Sequence, residues 1–353
     1  MEWYDAHYKK LLIIPTLLIL LSIGVIAWQI SATGDFVNKG VSLSGGVSAT
    51  ITIEDAVTQL DIEQAVRNNF PQADVTSRSL STTGGLRTFV VDAADIADDE
   101  QEAARQLVAF LENTYTVTSV STETTGPALG QAFFIQTIIG VLLAFLWMGW
   151  VVYLYFGDST KLKIFMALVA ATATLLATQG VIDGTTGMGI LALIVLAVIA
   201  IYFTSSVPAG AVILAAASTV LFTLAVVNLI GMRLSTAGIA AFLMIIGYSV
   251  DTDILLSTRV LKSKETDLFK RVWDAFTTGM TMQVTTTAAV FVAYILASSE
   301  IIQQIMLIIL IGMIGDMIFT WLQNAGILYW FAKKQERVRE QNRLASRKRG
   351  GKK

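Results

Sequence analysis

The chain has 353 residues, of which 54% are hydrophobic and only 15% are charged. Soluble domains carry about a quarter charged residues, so this composition predicts a membrane protein. The sequence contains no cysteine and one histidine, His7, which excludes disulfides and thiolate metal sites and argues against histidine-based catalysis. No GxxxxGK[ST] nucleotide-binding motif occurs. We therefore expect no enzyme activity, no catalytic residues, and no bound cofactor or metal.

Apolar runs long enough to cross a bilayer, about 20 residues each, divide the chain. The first, 11–30, is interpreted as an uncleaved anchor, because its apolar run is long for a signal peptide. The other candidate spans are 131–156, 161–180, 187–204, 207–230, 235–257, 279–298 and 301–330. The predicted organisation is an N-terminal segment with the first span (1–30), an external domain (31–130), a transmembrane bundle of about seven helices (131–330) and a basic tail (331–353).

Charge is distributed unevenly between the two ends of the chain. Segment 31–130 has five basic and fourteen acidic residues, whereas 332–353 has ten basic and two acidic residues. Lysine and arginine collect in cytoplasmic loops of membrane proteins, and the predicted loop 258–278 is also basic. We expect a multi-pass protein of the cytoplasmic membrane with both termini in the cytoplasm and residues 31–130 outside the cell.

The external segment alternates strand-like and helix-like patterns. Apolar and polar residues alternate in the predicted strands, whereas apolar residues recur at helical spacing in the predicted helices. The strands are 47–53, 73–80, 87–93 and 116–124, the helices are 61–70 and 98–113, and a TTGG turn at 82–85 joins the middle strands. The order β-α-β-β-α-β predicts a ferredoxin-like α+β domain attached to a membrane α-helical bundle.

Intramembrane polar residues are the candidate functional groups. Asp251 and Asp253 lie in an apolar run, where an unpaired charge costs about 2.5 kcal/mol or more, and they are about 200° apart around a helix. Gly312, Asp316, Thr320 and Asn324 form a polar stripe at four-residue spacing. We predict the following candidates for ion coupling: Asp251, Asp253, Asp316, Gln283, Thr286 and Thr287. The alternative is structural, with hydroxyl and amide groups joining helices and the acids protonated and hydrogen-bonded to neighbours.

Four motifs, in order along the chain, resemble those of a known family. GVSLSGG (40–46) is similar to the signature that opens the external domain, and TETTGPALG (122–130) to the one that leads into the second span. GYSVDTD (247–253) resembles the core-helix motif, with Arg259 at the position of its downstream arginine. TTT (285–287) with Gly312 and Gly315 resembles the last two spans. The motif residues are Gly40, Gly45, Gly46, Gly126, Pro127, Gly130, Gly247, Tyr248, Ser249 and Arg259.

On these motifs the chain resembles the smaller, SecF-type members of the SecD–SecF protein-export family, within the resistance–nodulation–division superfamily. The chain departs from that pattern in three ways. Acids flank Thr252, where the family's acid usually lies; Gly279 stands where an arginine is common; and 161–204 adds two spans to the usual six. These departures are expected of an archaeal branch.

The resemblance implies an accessory subunit that promotes translocation of polypeptides, coupled to an ion gradient. Its partners would be a SecD-like subunit, the Sec translocation channel, the translocating polypeptide and the lipid bilayer, with no specific nucleic acid. One acid would face the SecD-like subunit and the other the chain's own polar groups. The alternative is a small-molecule or lipid exporter of the same superfamily, although such exporters usually carry two membrane repeats in one chain.

Overall fold

The computed structural model describes residues 2–55, 57–83, 86–94, 96–97, 99–182, 184–263, 267–297 and 299–350. Gly84 and Gly85 of the predicted turn lie outside these residues, as do Asp95, Asp98 and Lys264. The helices are α1 (Glu2–Leu11), α2 (Ile13–Thr33), α3 (Val41–Ser44), α4 (Gln59–Asn69), α5 (Glu100–Thr114), α6 (Pro127–Phe156), α7 (Thr160–Thr178), α8 (Gly184–Ser205), α9 (Val207–Leu229), α10 (Thr236–Lys262), α11 (Leu268–Leu296), α12 (Glu300–Ile318) and α13 (Ala325–Gly350). A π-helical segment, Phe319–Asn324, joins α12 to α13.

Eight helical stretches of the described chain are long and apolar enough to cross a membrane. They are His7–Thr33, Pro127–Phe156, Thr160–Thr178, Gly184–Ser205, Val207–Leu229, Thr236–Lys262, Leu268–Leu296 and Ile301–Arg339. Each overlaps one of the spans predicted from the sequence. The ends differ most around 258–278, which we predicted to be a loop. There α10 continues to Lys262 and α11 begins at Leu268, after Asp267 caps its first turn.

The chain between the first and second of these helical stretches forms a four-stranded sheet. Its strands are β1 (Gly46–Ile53), β2 (Asp74–Thr83), β3 (Leu86–Ala94) and β4 (Val117–Thr125). They are antiparallel and follow the spatial order β2-β3-β1-β4. Alternate β1 residues such as Val47 and Ile51 are buried against Ile62 of α4 and Leu107 of α5, because successive strand side chains point to opposite faces. The core of this domain therefore lies between the sheet and its two helices.

Glycines allow a close junction between the sheet and α6. Gly45 has φ 90°, and a Cβ there would lie 2.5 Å from the Cα of Pro127. A Cβ on Gly130, one turn into α6, would lie 2.8 Å from the amide nitrogen of Gly45. Gly46 has φ 122° and approaches the carbonyl of Ala93. Three glycines of the two predicted motifs thus meet at one point, where no larger residue fits.

The membrane helices pack around α9, whose candidate span is 61% buried. The helix α7 packs on α6, and α8 packs on both α6 and α9. These two helices are the predicted additional spans in 161–204. They share one apolar cluster with α6 that includes Leu146, Met166 and Leu191. Tyr153 of α6 stacks on Tyr202 of α8 with ring centroids 5.0 Å apart. This pair therefore enlarges the bundle on the side away from α11 and α12.

Candidate functional site

The two acids of α10 lie on opposite sides of their helix. Asp253 is fully buried together with Ser249 and Ser257, whereas Asp251 is exposed. This agrees with the angular separation of about 200° that the helical repeat gives. Among the residues that the structure describes, none forms a hydrogen bond or ion pair with Asp251. Only Asp253 therefore belongs to the interior of the bundle.

Asp253 is bound by the last membrane helix. The side-chain amide of Asn324 donates a hydrogen bond of 2.7 Å to Asp253 Oδ1. Asn324 ends the π-helical segment, which widens the helix by one residue and so changes the angular position of the side chains that follow it. Such π-helical insertions are frequent at functional sites. The contact joins α10 to the helix that carries the predicted polar stripe.

Asp316 is the second carboxylate of the site and is 4% exposed. Gln283 Nε2 on α11 donates a hydrogen bond of 2.6 Å to Asp316 Oδ2, and Thr320 Oγ1 donates one of 3.2 Å to Oδ1. Trp321 Nε1 donates a hydrogen bond of 2.7 Å to Gln283 Oε1. The indole ring fits because position 279 is glycine, where a Cβ would lie 2.5 Å from Trp321 Cζ2. The glycine at position 279 thus provides the packing space for the indole ring of Trp321.

The two buried carboxyl groups are bound by neighbouring positions of the last membrane helix, since Asp316 accepts from Thr320 and Asp253 accepts from Asn324, four residues further along. Several polar atoms beside them have no hydrogen-bond partner among the described residues, including Asp253 Oδ2, Ser249 Oγ and Asn324 Oδ1. Buried polar atoms are usually paired, and unpaired ones often mark a functional site. The side chains of Ser218 and Gln323 extend this polar interior toward α9, with a hydrogen bond of 3.3 Å between them.

The other predicted coupling residues lie at the edge of this network. Thr286 accepts a hydrogen bond of 3.1 Å from the hydroxyl of Tyr248, on the surface between α10 and α11. Thr287 donates to the carbonyl of Gln283 at 2.7 Å, within its own helix. Of the six predicted candidates, the structure brings together Asp253, Asp316 and Gln283. It leaves Asp251 on the outer surface of α10.

Three residues of the network were not among our predicted site residues. Thr320 and Asn324 belong to the polar stripe, so their four-residue spacing after Asp316 was a usable signal. Trp321 gave no such signal, because an aromatic residue in a membrane helix is common and its partner Gln283 is on another helix. Its role depends on a glycine 42 positions earlier in the chain, which periodicity does not reveal.

The remaining motif residues lie in three places. Gly40 donates its backbone N–H to the carbonyl of Leu234, at 2.8 Å. Gly126 and Pro127 begin α6 at the junction with the sheet. Gly247 and Arg259 are exposed on α10, and no described carboxylate pairs with Arg259. Exposure of Arg259 fits a side chain that extends to the membrane interface.

Replacing Trp321 tests the indole's contribution to the site. Trp321→Phe keeps an aromatic ring against Gly279 but removes the donor, so the buried Oε1 of Gln283 loses its partner. We expect a loss of about 1–3 kcal/mol in stability, the usual cost of an unsatisfied buried acceptor. Thermal unfolding of the purified protein measures this. Trp147→Phe is the control, because the hydrogen bond from its indole to Thr174 is exposed rather than buried; an equal loss in both variants would contradict the expectation.

The fold and the site together define a multispan membrane protein with one inserted α+β domain and two buried carboxylates at the contact of three helices. Residues 173–334, which include every residue of the carboxylate network, match the family model described as protein export membrane protein SecD/SecF, C-terminal. Residues 173–334 therefore form a SecD/SecF C-terminal domain.

Similar proteins match along nearly the whole chain. The protein-export membrane protein SecF of Methanothermobacter thermautotrophicus is 28% identical over 329 residues, 92% of each chain. SecF of Pyrococcus furiosus is 28% identical over 330 residues, 93% of this chain and 92% of that one. The crystal structure of SecDF, a translocon-associated membrane protein from Thermus thermophilus, aligns with a TM-score of 0.59 and 18% identity. That alignment covers 94% of this chain but only 38% of the SecDF chain.

Proposed function

We propose that this protein is an accessory subunit of the Sec export machinery that acts with a SecD-like subunit to promote translocation of polypeptides across the cytoplasmic membrane. The named SecF relatives support the export role. The observation that carries the mechanism is the network of Asp253, Asp316, Gln283 and Asn324. It joins α10, α11 and the last membrane helix inside the bundle.

Proton coupling follows from the chemistry of this network. Two charged carboxylates buried side by side repel each other and lose their hydration, so neutralising one with a proton is strongly favourable. Asp253 Oδ2 has no donor among the described residues, which leaves an atom free to hold that proton. Protonation and release would alternately strengthen and weaken the contacts that Asn324 and Gln283 make with the two acids. The positions of α10 and α12 would then depend on the proton gradient.

Contacts at the outer ends of these helices provide a route from the carboxylates to the external domain. Gln304 of α12 donates a hydrogen bond of 2.5 Å to the carbonyl of Arg233 and also bonds to the side chain of Ser235. Arg233 forms an ion pair of 3.2 Å with Asp74 of β2. The next residue, Leu234, pairs with the backbone around Lys39. Movement of α10 or α12 would therefore act directly on the base of the external domain.

A disulfide across this route should block it. The backbone N–H of Thr236 donates to Ser42 Oγ at 3.2 Å, a proximity that suits a cysteine pair, and the chain has no native cysteine. We expect oxidised Ser42→Cys/Thr236→Cys protein to lose most of its gradient-dependent stimulation of export and to regain it after reduction. The assay is uptake of a secretory precursor by vesicles that contain the translocation channel and a SecD-like subunit.

A second disulfide controls for oxidation itself. Thr52 and Thr88 are cross-strand neighbours with their hydroxyls 3.2 Å apart, so Thr52→Cys/Thr88→Cys crosslinks the external domain internally. This variant should remain active in both redox states. Full export by the oxidised Ser42→Cys/Thr236→Cys protein would rule out the proposed route. Gradient-driven efflux of small molecules without any effect on export would favour the exporter function instead.

We propose that the inserted domain is ferredoxin-like and lies outside the cell, with both termini in the cytoplasm. Its strand order supports the domain type, and the charge asymmetry of the sequence supports the orientation. A membrane-impermeant maleimide should label Ser121→Cys, on exposed β4, in intact cells. It should label Arg337→Cys, on α13, only after permeabilisation. The opposite pattern would reverse the topology.

We also propose that Asp251 faces the SecD-like subunit. It shares an exposed surface of α10 with Gly247 and Tyr248, and α10 is the helix whose other side holds Asp253. A carboxylate in contact with lipid is costly, so membrane acids normally face a protein partner or a water-filled path. A Cβ added to Gly247 would meet no atom of another element within 4 Å, so this position leaves room for a second helix to approach.

A further inference from the structure

A groove of about 400 Å³ lies between the first residue of α9 and the part of α13 from Trp330 to Arg339. It shares no lining residue with the carboxylate network or with the proposed route to the external domain. Its lining combines apolar side chains (Val207, Trp330, Phe331 and Val338) with polar ones (Lys334, Gln335 and Arg339). Trp330 and Val338 are 41% and 47% exposed. The groove is therefore an open, half-apolar surface with a cationic edge.

The cationic edge is not neutralised within the described chain. Lys334 and Arg339 are exposed, and no described carboxylate pairs with either of them. Glu336, which lies between these two basic residues in the helix, instead forms an ion pair of 3.3 Å with Arg271 of α11. The ammonium group of Lys334 lies 5.5 Å from the ring centroid of Trp330, so the charge is held directly beside the apolar wall.

The groove lies at the depth of lipid headgroups. Trp330 is at the end of the apolar part of the last span, and tryptophan side chains prefer this interface. Lys334 is one turn further along, about 6 Å at the helical rise, within a headgroup layer that is about 5–7 Å thick on each side. Arg339 starts deeper in the cytoplasm, but its long side chain can extend back toward the membrane.

We propose that this groove binds one phospholipid with an anionic headgroup. The phosphate would bind between Lys334 and Arg339, and the first part of an acyl or isoprenoid chain would lie along Trp330, Phe331 and Val207. Basic pockets between membrane helices on the cytoplasmic side are suited to such headgroups. An RNA backbone would also match the charges, but it would leave the apolar wall exposed to water.

Quenching of Trp330 fluorescence by lipids with brominated chains tests the site. The protein in neutral detergent is titrated with brominated phosphatidylglycerol and, separately, with brominated phosphatidylcholine. The signal of Trp330 is the difference between wild type and Trp330→Phe, since the chain has seven tryptophans. We expect quenching at a lower concentration of the anionic lipid, and about 30-fold weaker binding of it in Lys334→Gln/Arg339→Gln, at about fivefold for each basic residue near an anionic surface.

A charge-matched variant separates a site from general attraction to the bilayer. Lys161→Gln/Arg337→Gln removes two exposed basic residues at the same end of the bundle that do not line the groove, and it should bind the anionic lipid within about twofold of wild type, since charge removed outside the groove leaves the site intact. Equal quenching by both lipids, equal losses in the two double variants, or unchanged lipid preference in Trp330→Phe would each overturn the proposal. Displacement of the lipid by a short single-stranded RNA, but not by glycerol phosphate, would assign the surface to nucleic acid instead.

Discussion

We expect Asp253→Asn and Asp316→Asn each to reduce gradient-dependent stimulation of export by about tenfold, within the range of coupling free energies between sites. Asparagine retains the shape of the side chain and can still accept the hydrogen bond from Asn324 or from Gln283. It cannot ionise or take up a proton. The variants therefore remove the proposed coupling chemistry while preserving the contacts that hold the helices together.

Two readouts distinguish lost coupling from lost structure. Precursor uptake is measured with and without an imposed proton gradient, in vesicles containing the channel and a SecD-like subunit. The uptake without a gradient and the thermal unfolding midpoint should change little in both variants. Undiminished gradient stimulation in the double variant Asp253→Asn/Asp316→Asn, at normal protein level, would eliminate proton coupling through this pair.

Asp251→Asn provides a contrasting variant on the same helix. Because Asp251 is exposed and lies outside the buried network, we expect its replacement to weaken co-purification with the SecD-like subunit and to leave the network intact. Asp253→Asn should have the opposite pattern, with normal co-purification and lost gradient response. If both variants behave alike, the assignment of different roles to the two faces of α10 is wrong.

Local patterns were sufficient to predict the strands and helices of the domain inserted between the first two spans. Apolar residues at helical spacing, such as Ile62 and Val66, become the buried face of α4. Alternation in 47–53 becomes the alternating burial of β1. These patterns work because each element has one buried and one exposed face, so the sequence records the direction of the core. The ends of α11 were predicted less well, since its first turns are amphipathic and bury Leu268 and Val272 outside the most apolar segment.

The sequence pattern identifies the carboxylates but not their environment. The helical repeat separates Asp251 from Asp253, yet it does not determine which of them faces inward, because both neighbouring surfaces are apolar in a membrane bundle. The π-helical segment changes the position of Asn324 relative to Asp316, and no residue pattern in FTWLQN predicts it. The Trp321–Gln283 hydrogen bond depends on packing between distant helices. These features arise from tertiary contacts between distant helices, and such contacts leave no periodic pattern in a single sequence.

The junction between the inserted domain and α6 should be highly sensitive to a single added methyl group. Gly45 has φ 90° and ψ 162°, a region that only glycine adopts readily and that costs other residues about 1–3 kcal/mol. A Cβ there would also lie 2.5 Å from Pro127 Cα and 2.7 Å from its nitrogen. Both are backbone atoms at the first turn of α6, so neither can move without displacing the helix.

We therefore expect Gly45→Ala to destabilise the protein by about 3 kcal/mol or more, combining backbone strain with the steric clash. Gly34→Ala is the matched control, because Gly34 has φ 81° but a Cβ added to it would meet no atom within 4 Å, and it should cost only about 1–2 kcal/mol. Thermal unfolding in detergent compares the two variants. A Gly45→Ala protein as stable as Gly34→Ala would show that the junction can open, and that α6 does not hold the inserted domain rigidly.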